Sequence, residues 1–238
     1  MRIEVVPTVD EIKQEQIAHR LVIVIDVLRA SSTIVTALAS GFSHVIPVET
    51  VGQAYALRSA SSVLAGERHC KKIAEFDYNN SPTSFLNMNV PAKHLILTTT
   101  NGTRAIQKAD RGEILYIGCL LNASACIKKA LGHQLDVTLY CAGTRQEFAL
   151  EDGLAAGYMI HLAKQSQPDI SVCDLGVAME ASYLTLCRNL YDCLLHSTTG
   201  KRLVQHQFIP DIQHCSQTDV YDIVPVVKEK RILPSLVS

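Results

Sequence analysis

RLVIVIDVL, from Arg20 to Leu28, is an apolar run of the kind that a chain buries inside a sheet. It is too short to cross a membrane, and Asp26 interrupts it. Runs like it recur, and each is followed by a helical pattern. SSTIVTALASG (Ser31 to Gly41) is a helix with glycine as its stop. HVIPVET is a second strand, VGQAYALRSA (Val51 to Ala60) a helix, and SVLAGE the start of a third strand. A polar stretch without periodicity runs from Arg68 to Asn89, with Phe76 as its anchor to the core. Then come HLILTTT, a helix after Gly102, EILYIGCLL, a helix around NASACIKKALG, DVTLYCAG, and a helix inside LEDGLAAGYMIHLAK. This alternation implies an α/β fold, three-layer α/β/α, with a largely parallel or mixed central sheet. The last third is expected to hold one or two helices in VAMEASYLTLCRNLYDCLLHSTTGKRLVQ and a short strand in DIVPVV. No repeat and no linker divides the chain, so residues 1–238 are expected to form a single domain.

Charge narrows the function. With 22 basic and 23 acidic residues the formal net charge is −1, unlike the basic stripe of a nucleic-acid binder. No stretch reads as a transmembrane span, so no membrane partner is expected. MRIEVVPTVDE lacks the basic and apolar regions of a signal peptide. None of the eight cysteines forms CxxC, and most sit in apolar contexts, as free thiols in a reducing cytosol would. The expected location is cytoplasmic, and a homodimer is compatible with the sequence.

Three strand ends carry the chemistry. VIVID ends at Asp26, with Arg29 three residues on and Ser31, Ser32 and Thr33 opening the helix. LILTTT leads through Thr100, Asn101 and Gly102 into Thr103 and Arg104. VTLYCAG ends at Gly143, with Arg145, Glu151 and Asp152 beyond it. If the strands are parallel, these corners share one edge of the sheet, where ligands of such folds bind. Helix N-termini attract phosphate, arginine forks grip its oxygens in pairs, and carboxylates suit Mg²⁺. TTTNGT then reads as a phosphate cradle with Arg104 as its fork. Gly66 and Glu67 end another strand, and Asp77, Asn79, Asn80 and Ser81 offer further oxygen ligands. Taken singly, each feature has a plainer account: Ser31 or Thr103 as a helix cap, Asn101-Gly102 or Asn80 as a turn, Glu151 and Asp152 as acidic residues of a first helical turn. Asp26 has no such account, because a carboxylate ending a buried strand needs a partner.

Common catalytic motifs are absent: there is no GxSxG, HExxH, GxGxxG or Walker A loop, and the nine histidines show no metal-ligand spacing.

The segments VIDVLRASSTIVTALASG, LAGERHCKKIAEFDYNNSP, LILTTTNGTRAI and CAGTRQEFALEDGLAAG, in that order, resemble the 2-phosphosulfolactate phosphatase (ComB) family. GKRL, DIQHC and VP extend the likeness toward the C-terminus. The resemblance implies an α/β fold, a Mg²⁺ requirement, and hydrolysis of 2-phosphosulfolactate, a small anionic phosphorylated substrate, to sulfolactate and phosphate. It matches Asp26 and Arg29, Glu67, Asn80 and Ser81, Asn101 to Arg104, and Glu151 with Asp152 to segments of the family pattern. Among these corners Asp26, Arg29, Arg104 and Asp152 are expected to be catalytic, Asn80, Ser81, Thr100, Asn101, Gly102 and Thr103 to bind substrate, and Asp26, Glu67, Glu151 and Asp152 to hold the metal. The chain departs from the pattern at Asn79 and Cys70, where glycine is common, and at Thr199, where histidine is frequent. Two further readings are a phosphatase for another small phosphorylated 2-hydroxy acid and a non-catalytic anion-binding module.

Overall fold

The computed structural model describes residues 1–86, 88 and 93–236. The chain opens with β1 (Arg2–Val6), β2 (Leu21–Ile25) and α1 (Ala30–Ala39), then β3 (Val45–Pro47) and α2 (Val51–Ala56). A hairpin of β4 (Ser62–Arg68) and β5 (Lys71–Lys72) precedes β6 (His94–Thr98), α3 (Gly102–Lys108), β7 (Ile114–Gly118), α4 (Ala123–Leu131) and β8 (Val137–Cys141). The long α5 (Leu150–Ser166) leads to β9 (Ser171–Val172), and four helices follow: α6 (Asp174–Leu186), α7 (Leu190–His196), α8 (Thr198–Gln205) and α9 (Ile209–Cys215). A C-terminal hairpin, β10 (Val226–Lys228) and β11 (Arg231–Leu233), closes the order. The result is a three-layer α/β/α fold around a mixed sheet, as the alternating pattern implies.

The strand order is β5-β4-β6-β3-β11-β10-β7-β2-β8-β1-β9. Two parallel sets make up most of it. β4, β6 and β3 form one, and β7, β2, β8, β1 and β9 the other. The C-terminal hairpin lies between them. It joins β7 through Val226 and Tyr116, and β3 through Ile232 and Val45, both antiparallel. With the antiparallel β10–β11 pairing, three reversals separate the sets, so they run in opposite directions along the sheet. The single common edge expected of parallel strands is therefore replaced by two sets of carboxyl ends that approach one another. Contacts between them are direct: the Asn101 side-chain amide, after β6, donates to the Gly143 carbonyl, after β8, at 3.0 Å.

Local chemistry accounts for the elements. β2 and β8 are buried at every position, and both are central strands walled by neighbours on each side. Their near-continuous apolar sequence fits that place. Thr50 caps α2 by accepting from the Gln53 amide at 3.1 Å, and the Gln53 side-chain oxygen accepts in turn from the Thr50 amide at 3.1 Å. The helical stretch after Val172 breaks into three helices rather than one or two. Ser197 is extended there, and its hydroxyl accepts from the Gly200 amide at 3.0 Å to start α8. MRIEVV, which the strand reading passed over, is β1, paired to β8 and β9. Phe76 is buried with Val48, Ala54, Leu64 and Ile96, so it anchors the polar stretch as expected. Among the described residues no helix is long and apolar enough to cross a membrane.

Because the central hairpin meets each set through a single register pair, its side chains carry the joint. Ile232 is fully buried between β10 and β3. Ile232→Ala should lower unfolding free energy by about 2–5 kcal/mol, measured by urea denaturation. A loss below about 1 kcal/mol would show that the hairpin does not hold the two sets together.

Candidate active site

Asp26 caps the carboxyl end of β2 and faces a cleft of about 210 Å³. One of its oxygens accepts from the Ala30 amide at 3.1 Å, and its own amide donates to the Ser31 hydroxyl at 3.0 Å. The first turn of α1 thus holds the carboxylate in place. Asp152, on the first turn of α5, stands behind it. Its two oxygens accept from the amides of Val27 at 2.8 Å and Gly143 at 3.0 Å. Asp152 therefore ties the corner after β2 to the corner after β8 instead of lining the cleft. Gly102 explains part of TTTNGT: a Cβ there would stand 2.4 Å from the Ala30 Cβ and 2.6 Å from an Asp26 oxygen. Only glycine lets α3 start this close to α1.

Thr100 of TTTNGT serves Glu67. The amide and hydroxyl of Thr100 both donate to one Glu67 oxygen, at 2.9 and 2.8 Å, and the Cys70 amide donates to the other at 2.8 Å. Thr103 bonds back to Thr99 through its amide (3.1 Å) and hydroxyl (3.0 Å). Several of the donors expected to cradle phosphate are thus already engaged, and the loop positions a carboxylate. Glu67, Thr99, Thr100, Asn101 and Asn80 line the cleft with Asp26. The Asn80 side-chain oxygen is buried and has no hydrogen-bond partner. Ser81 turns away from the cleft and donates to Asp211 at 2.8 Å.

The arginines divide. Arg29 lines the cleft, stacks over the Phe208 ring at 4.2 Å, and is paired with buried Asp211 at 2.6 Å. Arg104 does not reach the cleft. It lies on the outer face of α3 against Asp10, at 3.2 Å with its side chain 42% exposed. Gly102 and Thr103 face inward, and the next residue is turned about 100° around the helix. Two arginines outside the expected set line the cleft instead, Arg145 and Arg202. Asp211 and Arg202 are the main functional candidates that sequence reading missed. DIQHC and GKRL held the only signal, and both look like ordinary polar helix.

Burial pushes the Asp26 carboxyl up to about 7; the Ala30 amide opposes this, and the charges of Glu67 and Glu151 add to it. Burial likewise raises Asp152 well above the usual carboxylate range, with Asp26 and Glu151 adding to the effect. Glu151 is raised by burial as well, and one of its oxygens has no partner. Three carboxyl groups thus crowd together at and behind the cleft, each pushed toward its protonated form, and a bound cation would favour their ionised forms. Among the described residues no group of three His, Cys, Asp or Glu side chains converges as a metal cluster. Asp26, Glu67 and the unpartnered Asn80 oxygen nevertheless make a hard-oxygen set. Mg²⁺ takes one or two carboxylates and fills its remaining positions with water and phosphate oxygens, so the residues fit it.

The 2-phosphosulpholactate phosphatase family matches residues 6–230. A probable 2-phosphosulfolactate phosphatase of Caldanaerobacter subterraneus is 38% identical over 96% of this chain and 96% of its own. Those of Clostridium tetani (34%, 96% and 98%) and Thermotoga petrophila (38%, 87% and 89%) are similar over comparable spans. The chain belongs to the 2-phosphosulpholactate phosphatase family. It is accordingly an enzyme of the phosphoric monoester hydrolase class. The departures from the family pattern have visible settings here. Cys70 adopts φ 65°, a left-handed conformation that glycine adopts without strain. Asn79 bonds Arg29 at 3.4 Å and the Cys70 carbonyl at 3.1 Å. Thr199 lines the cleft beside Arg202.

A carboxyl whose pKa is raised by folding keeps its proton in the native state after the unfolded chain has lost it. Its stabilising effect is therefore lost as pH rises from 3.8 to about 7. In EDTA, Asp26→Asn should gain melting temperature relative to the parent as pH rises through that window. A difference that stays flat with pH would remove Asp26 from the charge cluster.

Proposed function

We propose that this enzyme hydrolyses 2-phosphosulfolactate to 3-sulfolactate and phosphate with Mg²⁺. The observation that carries the reading is the shared cleft. Asp26, Glu67 and Asn80, whose buried side-chain oxygen has no hydrogen-bond partner, line the same small space as Arg29, Arg145 and Arg202. Asp26, Glu67 and Asn80 would hold Mg²⁺, with Glu151 and Asp152 as the acidic charge behind them. Bound there, Mg²⁺ would orient the phosphate and neutralise charge growing on its oxygens. Arg29, fixed by Asp211 and Phe208, lines the same space and would add positive charge beside the phosphate. Asp152 acts by position, keeping the corners after β2 and β8 in register. The bond broken joins phosphorus to the substrate's 2-oxygen, which leaves with a proton; water supplies the oxygen that phosphate gains. All eight cysteines are free thiols, which supports a cytoplasmic setting.

Phosphate release from 2-phosphosulfolactate, followed with Mg²⁺ and with EDTA, tests the reading. Release should depend on the divalent ion, and Asp26→Asn should lower kcat/KM by about 100-fold or more. Arg104→Lys should stay within about two-fold of the parent, because Arg104 faces Asp10 and not the cleft. No release with any divalent ion would overturn the assignment.

A further inference from the structure

The cleft carries three arginines, and their charges are not met equally. Arg29 is neutralised by Asp211. Among the described residues neither Arg145 nor Arg202 forms an ion pair with a carboxylate. Arg202 projects from α8 and is steadied by two hydroxyls: its guanidinium donates to Thr144 and, at 3.4 Å, to Thr199. Thr144 belongs to the turn that presents Arg145. Thr144 and Glu147 exchange backbone hydrogen bonds at 2.8 and 2.9 Å around Arg145 and Gln146. Both central residues are left-handed, at φ 51° and 67°, without being glycine. Such strained conformations gather at ligand sites, where the surrounding structure enforces them. Arg145 and Arg202 therefore share Thr144 as a common support and line one cleft from α8 and from the β8–α5 turn.

Pairing separates these two from Arg29. Arg29 is met by buried Asp211, whereas among the described residues the guanidinium groups of Arg145 and Arg202 have no carboxylate within ion-pair distance. The planar guanidinium suits a carboxylate or a sulfonate, each of which offers oxygens to paired donors. The cleft, at about 210 Å³, is below the roughly 300–1,000 Å³ of sites for drug-sized ligands, and so fits a small polyacid.

We infer that Arg145 and Arg202 form a second anion subsite, distinct from the phosphate position, that takes the other acid groups of the substrate and sets the preference for phosphate esters of hydroxy acids bearing a further acid group. The inference rests on the phosphatase reading and adds what selects the substrate.

Three esters of secondary alcohols test it: 2-phosphosulfolactate with two further acid groups, 2-phospholactate with one, and isopropyl phosphate with none. Arg145→Gln and Arg202→Gln should each lose about ten-fold or more in kcat/KM on 2-phosphosulfolactate, and less than about two-fold on isopropyl phosphate. An equal loss on all three esters would overturn the inference, since the arginines would then hold the phosphate itself; so would no loss on any. Binding of sulfolactate, which has no phosphate, is measured by calorimetry on the same proteins. Its dissociation constant should rise about ten-fold or more in both variants, and an unchanged affinity overturns the subsite. If the parent enzyme releases phosphate from none of the esters, the phosphatase reading fails, and the sulfolactate titration still judges the subsite alone. Arg145 is exposed, so its variant is not expected to disturb folding, and circular dichroism verifies both.

Discussion

Asp211 accepts from Arg29 at 2.6 Å, from the Ser81 hydroxyl at 2.8 Å and from the Thr83 hydroxyl at 2.5 Å, although it is 1% exposed. A buried carboxylate without such donors would cost several kcal/mol. Its partners come from the corner after β2 and from the segment before β6, so one side chain of α9 ties three distant parts of the chain. Asp152 and Glu67 follow the same rule, each with three or fewer donors drawn from different strand ends. Together these carboxylates brace the cleft. Removing the donors of any one would leave an uncompensated charge where two pieces of chain meet.

That bracing answers the topology. The central hairpin reverses the sheet, so the two parallel sets run against each other, and their carboxyl ends have no shared edge to align them. What aligns them is contact across the gap: Asn101 donates to the Gly143 carbonyl, and Gly102 approaches Asp26 and Ala30 closely. The cleft at this meeting point gathers ionisable groups. Asp26, Glu151 and Asp152 are all shifted toward the protonated form by burial, and the arginines stand around them.

Legibility in the sequence followed the range of the interaction. Most strands and helices were readable because apolar period and caps act over a few residues. Asp26 was readable because a charge ending a buried run is locally anomalous. Glu67 and Asn80 were readable as polar residues in and beyond a strand end, and both line the cleft. Arg104 looked like part of the cleft because it follows Gly102, yet one helical step turns it outward to Asp10. Ser81 looked like a substrate contact and is a ligand of Asp211 instead.

By itself, the sequence determined the layered α/β class, the apolar strands, and a stock of carboxylates and hydroxyls at their ends, since these depend on each residue and its near neighbours. Only the tertiary structure decided which of them meet. Arg202 and Asp211 lie 176 and 185 positions from Asp26 by chain numbering, and their local sequence is that of ordinary polar helices. The inversion of the sheet, likewise, comes from where a hairpin of two three-residue strands inserts. Hydrogen bonds and ion pairs act over a few ångströms of space, whatever the separation along the chain, and so only the folded path assigns their partners.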